Sequence, residues 1–280
     1  MTFTTLIDTE ALASLLPDPR VVVVDCRFDL ADPAAGERAY AAGHIPGAVY
    51  AHLDRDLSGA RTATTGRHPL PAPDVLLETL RRLGIGPASQ VIVYDQDSGG
   101  FASRLWWLLK WMGHPAVAVL DGGWTQWVRE GRATRTGHET RERGAFDGRP
   151  AQDHLASAAE VAAVSGKAGW LVVDARAPER YRGEVEPIDL VAGHIPGAVN
   201  RPFVHNLRDG RFLPRDELRA AFSKLMGETR PEHVVSYCGS GVTACQNLLA
   251  MEHAGLTGGK LYAGSWSEWV SDPTRPVERG

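Results

Sequence analysis

The chain repeats one series of landmarks in its two halves, and this repeat constrains the fold more than any other feature. An apolar run that ends in aspartate lies at residues 21–25 and again at residues 171–174. The motif Gly-His-Ile-Pro-Gly-Ala-Val follows at residues 43–49 and at residues 193–199. The aspartate precedes the first glycine of this motif by 18 residues in one copy and by 19 in the other. The sequence therefore predicts a tandem duplication.

Two further landmarks follow in the same order in both halves. A second apolar run leads to Asp95 in the first half and to Cys238 in the second, and a glycine-containing loop comes next in both. A tryptophan-containing segment closes each copy, at residues 121–127 and at residues 263–269. Because four landmarks recur in order, the two halves are predicted to share one fold.

The length of the chain agrees with two domains. At 280 residues it exceeds the usual size of one domain, and two domains of about 140 residues are the natural expectation. Hydrophobic residues make up 43% of the chain, which is enough for two cores. Residues 133–153 are rich in Arg, Gly and Thr and show little periodicity. We predict domains at 1–132 and 154–280, joined by a linker at 133–153.

The predicted strands are short continuous apolar runs, which is typical of parallel strands covered on both faces. Helix-length segments lie between them, at residues 73–83, 101–112, 215–226 and 243–254. This alternation predicts an α/β fold of two tandem domains, each a parallel sheet with helices on both faces. Functional residues in such sheets usually lie at the carboxyl ends of the strands.

Composition argues against several classes of partner. The net charge is −4 and the charges are dispersed, so neither nucleic acid nor a membrane is an expected partner. The apolar stretches fall short of the roughly 18 residues of a membrane span, and the N-terminus does not read as a signal peptide. Three cysteines are too few for a disulfide scaffold and favour a reducing compartment. We predict a cytoplasmic protein, and a monomer, because the duplication itself supplies a domain interface.

Cys238 has the surroundings of a reactive cysteine. It ends a predicted buried strand, and residues 239–244, Gly-Ser-Gly-Val-Thr-Ala, lead into a helix. Glycines let the backbone turn its N–H groups toward the sulfur, and the helix presents its positive end there. Both effects favour the thiolate and can hold an anion. The alternative is that Cys238 is a small buried hydrophobic residue.

The other two cysteines lack such a loop. Cys26 follows a strand in the first copy, and Cys245 lies within the helix after the loop. Both are predicted to contribute to packing, although Cys245 is close enough in sequence to Cys238 for a regulatory disulfide. Asp95 stands at the cysteine position of the first copy, which predicts that the first domain is not catalytic.

These motifs resemble the tandem rhodanese family of thiosulfate and 3-mercaptopyruvate sulfurtransferases. The resemblance covers nearly the whole chain and rests on the paired Gly-His-Ile-Pro-Gly-Ala motifs, Asp-Ala-Arg at 174–176 and Cys-Gly-Ser-Gly-Val-Thr-Ala at 238–244. It implies that Cys238 carries sulfur as a persulfide and passes it to a thiol, thioredoxin or cyanide, without a metal or organic cofactor. It also implies that the donor contacts the loop residues Gly239, Gly241, Val242 and Thr243.

The same resemblance bears on the sulfur donor. The neutral loop is similar to that of the 3-mercaptopyruvate branch, whereas thiosulfate-preferring members commonly carry basic residues there. Arg180 matches the family's substrate-binding arginine, whose planar fork suits a carboxylate or sulfonate. The mercaptopyruvate branch adds a second arginine, where this chain has Ile188, and Arg182 is the alternative source of that charge. The sequence favours 3-mercaptopyruvate, and thiosulfate stays open.

A proton relay is also implied by the resemblance. Asp54, His68 and Ser240 match the members of a proposed Ser-His-Asp relay, in which histidine is the tunable group. The alternative is that His68 is a loop residue beside prolines and Asp54 a turn former. The histidines of the repeated motif, His44 and His194, occur in both copies and are predicted to be structural.

Two functions of other classes were weighed. A cysteine phosphatase needs arginine at the position that Ala244 occupies here, which disfavours it. A non-catalytic sulfur-binding module would be consistent with Asp95, but the intact loop after Cys238 argues against a complete loss of activity.

Overall fold

The computed structural model describes residues 2–280, which form two compact units. The first unit comprises the chain up to Gly59 together with Pro71–Ala151 and Asp209–Arg211. The second comprises Ala60–Leu70, Gln152–Arg208 and Phe212–Gly280. Across residues 2–280, no helix has the length and apolar character needed to cross a membrane.

The units differ from the contiguous division expected from the sequence in three places, of which the shortest is Asp209–Arg211 in the first unit. The predicted linker packs on the first unit as far as Ala151, whose N–H donates to the carbonyl of Trp111 at 2.8 Å. Residues 60–70 belong to the second unit, where the N–H of Arg67 donates to the hydroxyl of Ser267 at 3.0 Å. Both segments lack apolar periodicity, so backbone hydrogen bonds that the sequence pattern does not reveal decide where they pack.

In the first unit, one parallel sheet is flanked by helices. Its elements are β1 (Leu6–Ile7), α1 (Thr9–Leu15), β2 (Val21–Asp25), α2 (Ala35–Ala42), β3 (Val49–Tyr50), α3 (Leu53–Asp56), α4 (Pro73–Arg82), β4 (Gln90–Tyr94), α5 (Ala102–Trp111), β5 (Val117–Leu120) and α6 (Gly123–Arg129). The strand order is β1-β5-β4-β2-β3. Every residue of β2 is buried. Val23 and Ile92 pack with α1 and α6, and α5 packs against β4 and β5.

From Gln152 onward, the chain repeats this plan, with Asp209–Arg211 assigned to the first unit. Its elements are α7 (Ala158–Val164), β6 (Leu171–Asp174), α8 (Pro178–Tyr181), β7 (Val199–Asn200), β8 (Leu207–Arg208), β9 (Arg211–Phe212), α9 (Arg215–Met226), β10 (Val234–Tyr237), α10 (Ala244–His253), β11 (Lys260–Leu261) and α11 (Ser265–Trp269). Single turns of 3-10 helix lie at Gln152–His154, Phe203–Asn206 and Pro231–His233. The parallel strands run in the order β11-β10-β6-β7.

The second sheet is covered on both faces. One core cluster packs Val172 and Val235 against α7 and α11, and the other packs Val173 and Val234 against α9 and α10. Because neighbouring residues of a strand point to opposite faces, continuous apolar runs are required here. The four helices predicted from the sequence are confirmed to within one residue at each end.

The end of β6 carries a buried cluster that is repeated in the first unit. Asp174 accepts hydrogen bonds from the backbone N–H of Arg176 at 2.9 Å and from its guanidinium at 2.7 Å. That guanidinium lies 4.8 Å from the ring centroid of Trp266, a cation–π contact. The equivalent residues of the first unit are Asp25, Arg27 and Trp124.

The histidines of the repeated motif are bound to the backbone. His44 places Nδ1 2.9 Å from the carbonyl oxygen of Tyr40 and stacks on its ring. His194 places Nδ1 2.7 Å from the carbonyl oxygen of Tyr181 and stacks in the same way. Their geometry suits a structural role in both units.

Candidate active site

Cys238 lies directly after β10, at the carboxyl edge of the second sheet. β10 pairs with β6 on one side and with β11 on the other, so the cysteine lies at a central position of that edge. It is 2% exposed, and the loop of residues 239–243 separates it from the start of α10 at Ala244. This is the part of a parallel α/β sheet where ligands usually bind.

The closing segment of the second unit fixes the loop from one side. The N–H groups of Trp266 and Ser267 donate to the carbonyl oxygens of Cys238 and Gly239, each at 3.0 Å. Gly241 has φ +75°, and a Cβ there would lie 2.1 Å from the carbonyl oxygen of Ala263. Only glycine fits that position, and its N–H donates to the sulfur of Cys238 at 3.2 Å. The loop thus directs carbonyls to the closing segment and N–H groups to the sulfur.

This hydrogen bonding favours the thiolate of Cys238. Burial by itself raises the pKa of a thiol, because it disfavours the charged form. Here the hydroxyl of Thr243 and the N–H groups of Ser240, Val242 and Ala244 act in the opposite direction. They outweigh burial, so the pKa of Cys238 is lowered below its ordinary value. Of the loop residues predicted from the sequence, Gly241, Val242 and Thr243 donate to the sulfur, and contact between the loop and the sulfur donor stays a prediction.

The other cysteines have different surroundings. Burial, together with the charges of Asp25, Asp95 and Asp56, holds the pKa of Cys26 well above that of an ordinary thiol. Cys245 is fully buried, and its thiol donates to the carbonyl oxygen of Gly241 at 3.4 Å. Both are free thiols. Their environments suit packing.

Alkylation by iodoacetamide should reveal this difference, because the thiolate is the reactive form. We expect Cys238 to react in the native protein with a midpoint at a pH below the ordinary thiol pKa, since its pKa is lowered. Cys26 should stay unmodified over the same range, because its pKa is raised. Peptide mass mapping after timed labelling at each pH measures both rates. A midpoint for Cys238 at or above that of free cysteine would contradict the lowered pKa.

Ser265 holds the backbone of Cys238 in place and was not found from the sequence. Its φ is +55°, a left-handed conformation that costs a residue other than glycine about 1–3 kcal/mol. Its hydroxyl accepts the N–H of Cys238 at 3.1 Å and donates to the carbonyl oxygen of Tyr262 at 2.9 Å. The corresponding residue of the first unit is Gly123, with φ +54°. Serine in place of this glycine was the available sequence signal.

Ser240 and His68 are brought together, as the proposed relay requires. The hydroxyl of Ser240 lies 2.7 Å from Nδ1 of His68, and both residues are 6% exposed. The contact arises because residues 60–70 pack with the second unit. Asp54 belongs to the first unit, at the exposed start of α3, where its N–H donates to Nδ1 of His52 at 3.1 Å. Its part in a relay stays a prediction.

Arg180 and Arg67 point their guanidinium groups at the loop. A Cβ built on Gly239 would lie 2.7 Å from Nη2 of Arg67 and 3.6 Å from both Nη atoms of Arg180. Arg180 pairs with Glu186 at 2.6 Å and with Asp189 at 3.3 Å, and Arg67 pairs with the same Asp189. The arrangement can hold a carboxylate or another small anion beside the cysteine.

Three of these residues, Arg67, Glu186 and Asp189, were missed from the sequence. The available signal was position alone, since Arg67 precedes His68 and the two acids flank the site of the absent second arginine. Arg182, the alternative second cation, is 43% exposed and pairs with the exposed Glu184. Its environment is that of a surface residue.

Comparison with known proteins agrees with this geometry. The family model described as a rhodanese-like domain matches residues 8–130 and 157–272. The chain belongs to the rhodanese family. A probable 3-mercaptopyruvate sulfurtransferase of Pseudomonas aeruginosa is 49% identical over 278 residues, covering 98% of both chains. A Mycobacterium tuberculosis relative, provisionally named thiosulfate sulfurtransferase SseB, is 42% identical over 98% of this chain and 97% of its own.

A solved structure supports the same assignment. SseA from Escherichia coli, described as a 3-mercaptopyruvate sulfotransferase, superposes with a TM-score of 0.81 at 31% identity. The alignment covers 95% of this chain and all of that one. The chain is therefore a tandem rhodanese sulfurtransferase, and its two units are the duplicated domains of that family.

In the first unit of this rhodanese, the side chain of Asp95 fills the loop that follows β4. The carboxylate of Asp95 accepts hydrogen bonds from the N–H groups of Gly99 at 2.9 Å, Phe101 at 2.8 Å and Ala102 at 3.0 Å. Asp95 is 2% exposed. A carboxylate thus occupies the place that Cys238 has in the second unit, and it accepts the N–H groups that would otherwise face a sulfur.

Proposed function

We propose that this protein moves a sulfane sulfur from 3-mercaptopyruvate to a thiol, thioredoxin or cyanide through a persulfide on Cys238. The observation that carries the proposal is the pair of guanidinium groups that meets beside an uncharged loop at Cys238. Two guanidinium groups next to a thiolate suit a donor that carries one carboxylate and one sulfur. The Pseudomonas and Escherichia relatives named for mercaptopyruvate support the same donor.

In the first half-reaction, Arg180 and Arg67 bind the carboxylate of the donor, and the thiolate of Cys238 attacks its sulfur. The S–S bond forms as the C–S bond breaks, and the electron pair of the broken bond gives the enolate of pyruvate. The proton of the donor thiol reaches the enolate carbon through Ser240 and His68, whose polar atoms lie 2.7 Å apart. Pyruvate leaves, and Cys238 carries a persulfide anion.

In the second half-reaction, an acceptor attacks the outer sulfur of the persulfide. The bond between the two sulfur atoms breaks, and its electron pair returns to Cys238 as a thiolate. The N–H groups of Ser240, Gly241, Val242 and Ala244 stabilise that thiolate, which makes it a good leaving group. The two half-reactions share one enzyme form and so predict ping-pong kinetics.

Thiosulfate is the second candidate donor, and the Mycobacterium relative carries that name. It is a dianion, and the loop of this chain carries no cation of its own. The positive charges of Arg180 and Arg67 are balanced by the negative charges of Glu186 and Asp189, so the pocket has little net positive charge. Removing a second negative charge from water is costly without a compensating cation.

The test is the ratio of kcat/KM for the two donors with cyanide as the common acceptor. We expect 3-mercaptopyruvate to be favoured by at least about tenfold, because one uncompensated charge costs more than about 1.4 kcal/mol. Thiosulfate as the better donor would overturn the choice of donor. Because both assays release thiocyanate from the same persulfide, a difference between them reports the donor half-reaction alone.

A further inference from the structure

The carboxylate of Asp189 has no part in the proposed sulfur transfer, yet it lies among the groups that would bind the donor. Its two carboxylate oxygens pair with different arginines, one with Nη1 of Arg67 and the other with Nη2 of Arg180 at 3.3 Å. It is thus a carboxylate between the two guanidinium groups that meet beside Gly239. Its side chain is 5% exposed, so these charges interact with little screening by water.

Glu186, the other acid of this cluster, is held in a different way. Its carboxylate accepts the backbone N–H groups of Ile188 at 3.1 Å and Asp189 at 3.0 Å. It also pairs with Arg176 at 3.2 Å and with Arg180 at 2.6 Å. These contacts fix Glu186 as part of the fold. The carboxylate of Asp189, by contrast, contacts both donor-facing cations, Arg67 and Arg180, whose guanidinium groups can exchange one carboxylate for another.

We propose that Asp189 is the residue that sets donor specificity, by acting as an internal carboxylate where the carboxylate of the donor binds. This rests on the proposed function in that it places the donor carboxylate at Arg67 and Arg180. In the empty site, Asp189 holds both guanidinium groups in position. When a donor with one negative charge arrives, its carboxylate takes over guanidinium hydrogen bonds from Asp189 and adds a single negative charge to the pocket.

A donor with two negative charges is repelled more strongly in this pocket than a donor with one. Two guanidinium groups already face the carboxylates of Asp189 and Glu186, and the lowered pKa of Cys238 favours a thiolate beside them, so a second negative charge on the donor is repelled. Asp189 therefore selects for charge rather than shape, and it is a positioning residue for Arg67 and Arg180. It takes no part in the transfer of sulfur.

The test is Asp189→Asn, which removes the charge and keeps the shape of the side chain. The variant lacks one negative charge beside the negatively charged donor. We therefore expect the ratio of kcat/KM for thiosulfate to that for 3-mercaptopyruvate to rise by about tenfold. The matched control is Glu184→Gln in the same segment, whose carboxylate is 55% exposed and pairs with Arg182, and its ratio should equal that of the wild type. A purely structural role of Asp189 would lower both donors together and leave the ratio unchanged, which would overturn the proposal.

Two further measurements distinguish failure of the Asp189 proposal from poor folding of the variant and from failure of the proposed function. Asp189→Ala removes the same charge by a different side chain, so the ratio can be measured even if the asparagine variant folds poorly. The donor preference of the wild type tests the proposed function. The change in ratio between variant and wild type tests Asp189, whichever donor the wild type prefers. A ratio that shifts equally in Glu184→Gln would also contradict the assignment.

Discussion

Replacing Cys238 by serine should reduce sulfur transfer to the uncatalysed background with either donor. Serine keeps the size of the side chain but is not ionised near neutral pH, so the N–H groups of Gly241 and its neighbours have no thiolate to stabilise. Neither other cysteine has a comparable loop. Thiocyanate formation from cyanide, measured with both donors, gives the loss directly.

The controls for this variant are Cys26→Ala and Cys245→Ala. Both side chains are buried free thiols outside the sulfur-facing loop, so their loss should change thermal stability more than kcat. Substantial activity in Cys238→Ser, or its loss in Cys26→Ala at unchanged folding, would show that the nucleophile has been misassigned.

The second large effect is expected at Arg180. Arg180→Ala removes a guanidinium that faces the loop beside Gly239, and each hydrogen bond between charged groups is worth about 1.5–3 kcal/mol. The value of kcat/KM for 3-mercaptopyruvate should therefore fall by about tenfold or more. Arg180→Lys keeps the charge and loses the planar fork, so we expect an intermediate value.

Arg182→Ala is the matched control for Arg180→Ala. Arg182 is 43% exposed and pairs with Glu184, which lies at the surface, so its removal should change kcat/KM by less than about twofold. A larger loss in Arg182→Ala than in Arg180→Ala would mean that the wrong arginine has been assigned to the donor. Circular dichroism of each variant separates this result from misfolding, since Arg180 also pairs with the buried Glu186.

Much of the fold could be predicted because its signals are local. Continuous valine-rich runs such as β2 can be buried on both faces only in a covered parallel sheet, and the intervening segments have helical length. The duplication supplied a second, independent instance of each element. Residues 60–70 could not be assigned in this way, because a hydrogen bond from Arg67 to Ser267, distant in sequence, joins them to the second unit.

In the candidate site, too, features set by neighbouring residues could be predicted, and features set by distant segments could not. The surroundings of Cys238 could be predicted, because the glycines and the helix start that act on its sulfur are its neighbours in sequence. Arg67 and Asp189 were not, because their pairing depends on how distant segments fold together. Ser265 was also missed, since its left-handed backbone is a property of the closed turn and is signalled only by comparison with Gly123 of the first copy.

The most direct test of a persulfide on Cys238 is the mass of the protein after treatment with 3-mercaptopyruvate in the absence of an acceptor. We expect one added sulfur atom, mapped to the peptide that contains Cys238 and removed again by cyanide. Cys238→Ser should gain none under the same conditions. An added sulfur on the peptides of Cys26 or Cys245, or an active enzyme that never carries the added mass, would contradict a persulfide on Cys238.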